Sequence, residues 1–94
     1  MWQEEATLVR AAQCGDVKAF QALVEHYSHI VMMRTYGSTG ERSAGEDLAQ
    51  DTFLRALKAI GSLKKVESFG VWLLMIADNV CRNHAVRRAR KRHI

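Results

Sequence analysis

The 94-residue chain has no proline and only two cysteines. Without proline it lacks the strongest helix breaker, and its six glycines fall mostly between apolar-periodic segments, as in an all-helical chain with short connections. Cys14 and Cys81 lie far apart, and neither belongs to a CxxC pair, so zinc-site spacing is missing. Both fit small buried hydrophobes in a reducing cytoplasm. No apolar run reaches the roughly 18 residues that span a bilayer. The start, MWQEEATLVR, is acidic and has no signal-peptide apolar core. There is no Gly-rich phosphate loop and no nucleophile–base pair on one face, so neither catalysis nor a cofactor is expected. Internal repeats and low-complexity segments are also missing.

What is present is ordinary in amount and uneven in placement. Hydrophobic residues make up 48% and charged residues 26%, typical of a globular domain. The length suits one core, so residues 1–94 read as a single domain. The net charge is +4, but six of the fourteen cations (Arg82, Arg87, Arg88, Arg90, Lys91 and Arg92) crowd the segment after Cys81, which holds no acid. The other eight cations and all ten acids lie before it, giving that part −2. Such a basic end suits an anionic partner or a solvated tail.

Periodicity predicts four helices and a compact three-to-four-helix bundle. The first runs from about Glu4 to Gln13, with Leu8, Val9 and Ala12 on one side; Gly15 ends it and Asp16 can cap the next. The second runs from about Val17 to Tyr36 on a stripe of Phe20, Leu23, Val24, Tyr27, Ile30 and Val31. Met32 and Met33 are gap fillers beside it. After the loop GSTGER, Ser43 and Glu46 fit a capping box that starts the third helix near Ala44, on a stripe of Ala49, Phe53, Ala56 and Ile60. Gly61 breaks the pattern. Ser68 can cap a fourth helix on Phe69, Trp72, Leu73, Ile76 and Val80, which continues through Arg92 or frays among its own cations. Phe69 and Trp72 read as core, not as a base-stacking pair. His26, His29, His84 and His93 are scattered and form no metal set.

On a helical wheel, Asp47, Gln50, Asp51, Leu54 and Arg55 share one face of the third helix, away from Phe53 and Ile60. Acids in a first turn are favoured by the helix dipole at about 0.3–1 kcal/mol each, which accounts for Glu46 and Asp47 as a solvated face. It accounts less well for Asp51 and not for an exposed Leu54, which an acidic docking surface would use. At the other end, six cations exceed what capping needs, and like charges at i,i+4 repel. A nucleic acid would relieve that repulsion and release counterions. A membrane surface fits poorly, because Val86 and Ile94 are the only large apolar residues after Cys81.

The segments GEDLAQDTFLRALKAI and FGVWLLMIADNVCRNHAVRRAR together resemble region 2 of the extracytoplasmic-function (ECF) bacterial sigma factors, in the sigma-70 family. The paired signature is EDLxQxxF followed by FxxWLxxIAxN, and LVRAAQCGDVKAFQALVEHY resembles the family's first helices, so the likeness spans residues 7–92. The resemblance implies that Asp47, Gln50, Asp51, Leu54 and Arg55 contact the clamp coiled coil of the largest subunit of core RNA polymerase. It implies that the chain recognises the promoter −10 element and captures unpaired bases of the non-template strand. The loop Gly61–Ser68 would form the base pocket. Leu63 or Val66 would cover a base face while Lys64 and Lys65 hold phosphates. Asn79 would read a base edge, and Arg82, Asn83, Arg87, Arg88 and Arg90 would follow DNA. An anti-sigma protein is a further implied partner. The family's second domain, which reads the −35 element, has no counterpart in these residues, which implies a fragment or an isolated domain. Gly45 stands where the family usually has alanine, and it is expected to weaken the helix start by up to about 1 kcal/mol. Two alternatives stay open: GSLKKVES is a plain linker with Leu63 and Val66 folded inward, or the whole chain is a helical protein-interaction module with a basic tail and no sequence-specific DNA role.

Overall fold

Asp16 begins one of the two longest helices of the bundle. Its side chain accepts the Ala19 N–H at 3.1 Å, satisfying one of the free donors at the start of a long helix. Just before it, Gly15 turns the chain with φ 94°. In the computed structural model, which describes residues 2–92, four helices follow in order: α1 (Glu5–Gln13), α2 (Val17–Thr39), α3 (Arg42–Ala59) and α4 (Phe69–Arg92). Two 3₁₀ turns, Ile60–Ser62 and Val66–Ser68, stand between α3 and α4. The core joins Val9 and Ala12 of α1, Phe20, Leu23 and Val31 of α2, Ala49 and Ala56 of α3, and Phe69 and Leu73 of α4. A smaller cluster of Leu48, Val80 and Cys81 holds α3 against α4.

Several sequence expectations are corrected. GSTGER is not a loop: α2 continues through Gly37, Ser38 and Thr39, and Gly40 (φ 70°) ends it in the left-handed conformation. The connection then needs only Gly40 and Glu41, because the Thr39 hydroxyl accepts the Glu41 N–H at 3.2 Å and donates to the Glu41 carbonyl at 3.0 Å. α3 therefore starts at Arg42 with Glu41 as its cap, and the Ser43–Glu46 capping box does not form. Glu46 instead pairs with Arg42 one turn back, at 3.0 Å. Ser68 lies within the 3₁₀ turn that runs straight into α4, its N–H on the Lys65 carbonyl at 2.9 Å. Cys14 is exposed, because it occupies the C-cap of α1 beyond the buried stripe, whereas Cys81 is buried. Ile30 is 45% exposed although it falls on the α2 stripe.

Gly45 has a role that helix propensity does not show. It is buried, and a Cβ there would lie 2.9 Å from the Tyr36 Cα and 3.1 Å from the Tyr36 backbone nitrogen. Glycine lets α2 and α3 meet backbone to backbone. The buried Thr35 hydroxyl seals the crossing by donating to the Gly45 carbonyl at 2.7 Å.

α1 is held to the bundle by a buried polar pair. Glu5 is 1% exposed and accepts the Tyr27 hydroxyl. Burial, reinforced by the Glu5 carboxylate, raises the Tyr27 phenol well above its ordinary value. Tyr27 also packs edge-on against Phe69, with ring centroids 5.5 Å apart.

Candidate protein and nucleic-acid interfaces

The outward face of α3 carries Asp47, Gln50, Leu54 and Arg55, all exposed, with Asp51 half-buried among them. Leu48, Ala49, Thr52 and Ala56 form the inward face, so the five named residues share one side by helical geometry. Leu54 is 54% exposed, and Leu57, one turn on, is 44% exposed. Arg55 reaches back to Asp51 at 3.2 Å, an i,i+4 pair that partly neutralises the face and leaves Asp47 as its free acid.

The loop before α4 is more ordered than a linker. Its two 3₁₀ turns flank Leu63 and Lys65, both extended, with the chain bending at Lys64 between them. Lys64 and Lys65 are exposed, while Leu63 and Val66 are half-buried against the core. Two partly covered apolar side chains and two free ammonium groups thus stand side by side.

From that loop α4 presents a ridge. Val71 (69% exposed), Met75 (65% exposed), Asn79 and Arg82 follow one another along its outer side over about 16 Å. Trp72, Met75, Ile76, Asp78, Asn79 and Arg82 line a shallow groove beside it. Phe69 is core as expected, whereas Trp72 is only half-buried and helps line this groove. Arg82 donates toward the Asn79 side chain at 3.4 Å. Asp78, the one acid of this stretch, is paired with Arg34 of α2 at 2.9 Å, which offsets its charge beside the ridge. α4 stays helical to Arg92, and from Ala85 onward every described residue is exposed, including Arg87, Arg88 and Arg90. Asn83 is exposed as well. Among the described residues no group of His, Cys, Asp or Glu is placed to hold a metal ion; His93 lies outside them.

Val71 and Met75 were missed in the sequence because α4 is apolar on nearly every side of its first half. The one available signal was that both fall off the Phe69–Leu73–Ile76–Val80 stripe.

An acidic and apolar face on one helix and a basic, partly apolar ridge on another give the bundle two exposed surfaces of opposite sign. By its fold it is a small all-helical bundle domain. Residues 23–92 match Sigma-70 region 2, and the chain belongs to that family, within the ECF group to which several of its relatives are assigned by name. The RNA polymerase sigma-H factor of Pseudomonas aeruginosa is 33% identical over 95% of this chain and 46% of its own length. The ECF RNA polymerase sigma factor BldN of Streptomyces coelicolor is 41% identical over 82% of this chain and 30% of its own length. The chain thus spans less than half of these relatives. An engineered region 2 of sigmaE, solved by NMR in complex with GTAAAA, superposes with a TM-score of 0.85 at 31% identity, covering 97% of both chains.

Proposed function

We propose that this chain is the domain of an ECF sigma factor that joins core RNA polymerase to the promoter −10 element and favours its melted state. The observation that carries the reading is the likeness, over 97% of both chains, to a region 2 that binds GTAAAA. In this reading a base flipped out of the −10 element enters between the Leu63–Val66 loop and the α4 ridge. Val71 and Met75 supply apolar surface, Asn79 a base-edge partner, and Lys64 and Lys65 the phosphate contacts. Unstacking costs about a few kcal/mol per base, and capture of the unpaired base offsets part of it, which shifts the promoter toward the open form. Arg82, Asn83, Arg87, Arg88 and Arg90 follow the phosphates upstream.

The α3 face docks on the clamp coiled coil of the largest polymerase subunit. Cationic side chains there compete with Arg55 for Asp51 and meet Asp47, while Leu54 supplies buried area. RNA synthesis itself belongs to the polymerase, in the bacterial cytoplasm. An anti-sigma protein would inhibit by covering these same two surfaces.

The test is a titration of fluorescent single strands, one carrying GTAAAA and one scrambled, against the wild type and the Lys64→Ala/Lys65→Ala variant. The expected result is a preference for GTAAAA and weaker binding by the variant. Equal affinities that the substitutions leave unaltered would reject base capture and favour a helical interaction module with a basic tail.

A further inference from the structure

The loop between α3 and α4 does not hold its shape alone. Gln13, the last residue of α1, is half-buried and lies 47 and 50 positions away from the two carbonyls it meets. Its side-chain amide nitrogen donates to the Ile60 carbonyl at 3.0 Å and to the Leu63 carbonyl at 2.7 Å. Both amide hydrogens are thereby used, and the two acceptors bracket the first 3₁₀ turn, Ile60 opening it and Leu63 following it.

The remaining backbone bonds show what this clamp adds. Within the loop, Leu63 N–H returns to Ile60 O at 3.1 Å and Ser68 N–H to Lys65 O at 2.9 Å, each closing its own short turn. Neither ties the loop to the rest of the bundle. Leu63 and Val66 pack on the core, but apolar contact is non-directional and does not set a backbone orientation. The Ser62 hydroxyl donates to the Ala59 carbonyl at the adjoining end of α3 at 2.6 Å, and Gln13 is the directional link from the loop to a distant helix. By occupying the Leu63 carbonyl it holds that group toward α1, just before the bend at Lys64 and the exposed Lys64–Lys65 pair. Short loops without such anchors sample many backbone states, and ordering one residue costs about 1–2 kcal/mol of entropy at the moment of binding.

We propose that Gln13 is a positioning residue for base recognition: it touches no base, but it preorganises the Leu63–Lys65 backbone that the unpaired base meets. The proposal rests on the base-capture reading given above. Gln13→Met tests it, because methionine keeps the length and the packing surface and removes both donors.

The full chain, as wild type, Gln13→Met and Gln13→Glu, is titrated with the GTAAAA strand and its scrambled counterpart. Hydrogen exchange of the Leu63–Lys65 amides is followed without any strand. The expected outcome is that the preference of the wild type for GTAAAA falls by roughly tenfold in both variants, the scale of one lost base-edge contact. Affinity for the scrambled strand and helical content should stay as in the wild type, and exchange of the loop amides should quicken. A residue that only stabilised the fold would weaken both strands alike, or neither. Retention of full preference by Gln13→Met, in a wild type that shows one, overturns the positioning role alone. A wild type without preference overturns the base-capture reading and this proposal with it, so the two failures are told apart by the wild-type arm.

Discussion

Gly45→Ala should destabilise this domain, against the ordinary rule that alanine improves a helix. The propensity gain is about 1 kcal/mol. Against it stands the crossing of α2 and α3. The new methyl would lie 2.9 Å from the Tyr36 Cα, 3.1 Å from its nitrogen and 3.3 Å from its Cβ, where carbon–carbon contacts normally lie at about 3.5–4.0 Å. The obstructing atoms belong to helix backbone, which cannot swing aside as a flexible side chain would, so the helices must separate. Overpacking of this kind costs about 1–3 kcal/mol, and a rigid neighbour places it near the top of that range. Separation also stretches the buried 2.7 Å bond from Thr35 to the Gly45 carbonyl, worth about 1 kcal/mol. The net loss is about 2–3 kcal/mol, a large share of the roughly 5–15 kcal/mol that holds a small domain together. Thermal unfolding followed by circular dichroism should show Tm falling by about 10–20 °C. Gly37→Ala is the internal control: it lies within α2 with no atom within 4 Å of an added methyl, so it should raise Tm. An unchanged or higher Tm for Gly45→Ala, with Gly37→Ala stabilising as stated, would refute the close-approach argument.

Three further outcomes are expected. Asp51→Arg should weaken binding to purified core polymerase by about 2 kcal/mol or more, roughly thirtyfold, in a pull-down or titration. Its fold should survive, because the Asp51–Arg55 pair is partly exposed and such pairs contribute under about 1 kcal/mol; retained binding would dismiss this face. Replacing Arg87, Arg88 and Arg90 together by serine should lower the slope of log affinity against log salt by about 3 for promoter DNA carrying the upstream duplex, and an unchanged slope would mean that they meet no phosphates there. Tyr27→Phe removes the donor to buried Glu5 and should cost about 1–3 kcal/mol at neutral pH. Because the Tyr27 phenol is raised in the folded state, its contribution is complete below the ordinary tyrosine value near about 10 and declines as pH rises beyond it. Denaturant melts of the two proteins should therefore converge above about pH 10; a gap constant with pH would contradict this linkage.

The acidic face was legible because helical period alone places Asp47, Gln50, Asp51, Leu54 and Arg55 together, and the wheel needs only that α3 be a helix. The basic block was legible from composition. Val71 and Met75 were not, because in an apolar helix the period does not say which apolar residues a neighbour covers. The start of α3 was misplaced by a locally correct motif: Ser43 and Glu46 have capping-box spacing, but the Thr39–Glu41 turn begins the helix earlier. Gly45 looked like a weakness and is a packing requirement.

By itself the amino-acid order determined the four helices, the acidic face of the third and the basic end of the fourth, and membership in a family recognisable by paired motifs. The helices and the acidic face follow from neighbours three and four residues apart, and the basic end and the paired motifs from residue order alone. Only the tertiary structure decided that Gln13 grips a loop 47 to 50 residues downstream, that Tyr36 lies against Gly45, and that Glu5 finds Tyr27. Each of those contacts depends on how helices cross, and a crossing is set by the fit of whole surfaces that no local spacing encodes.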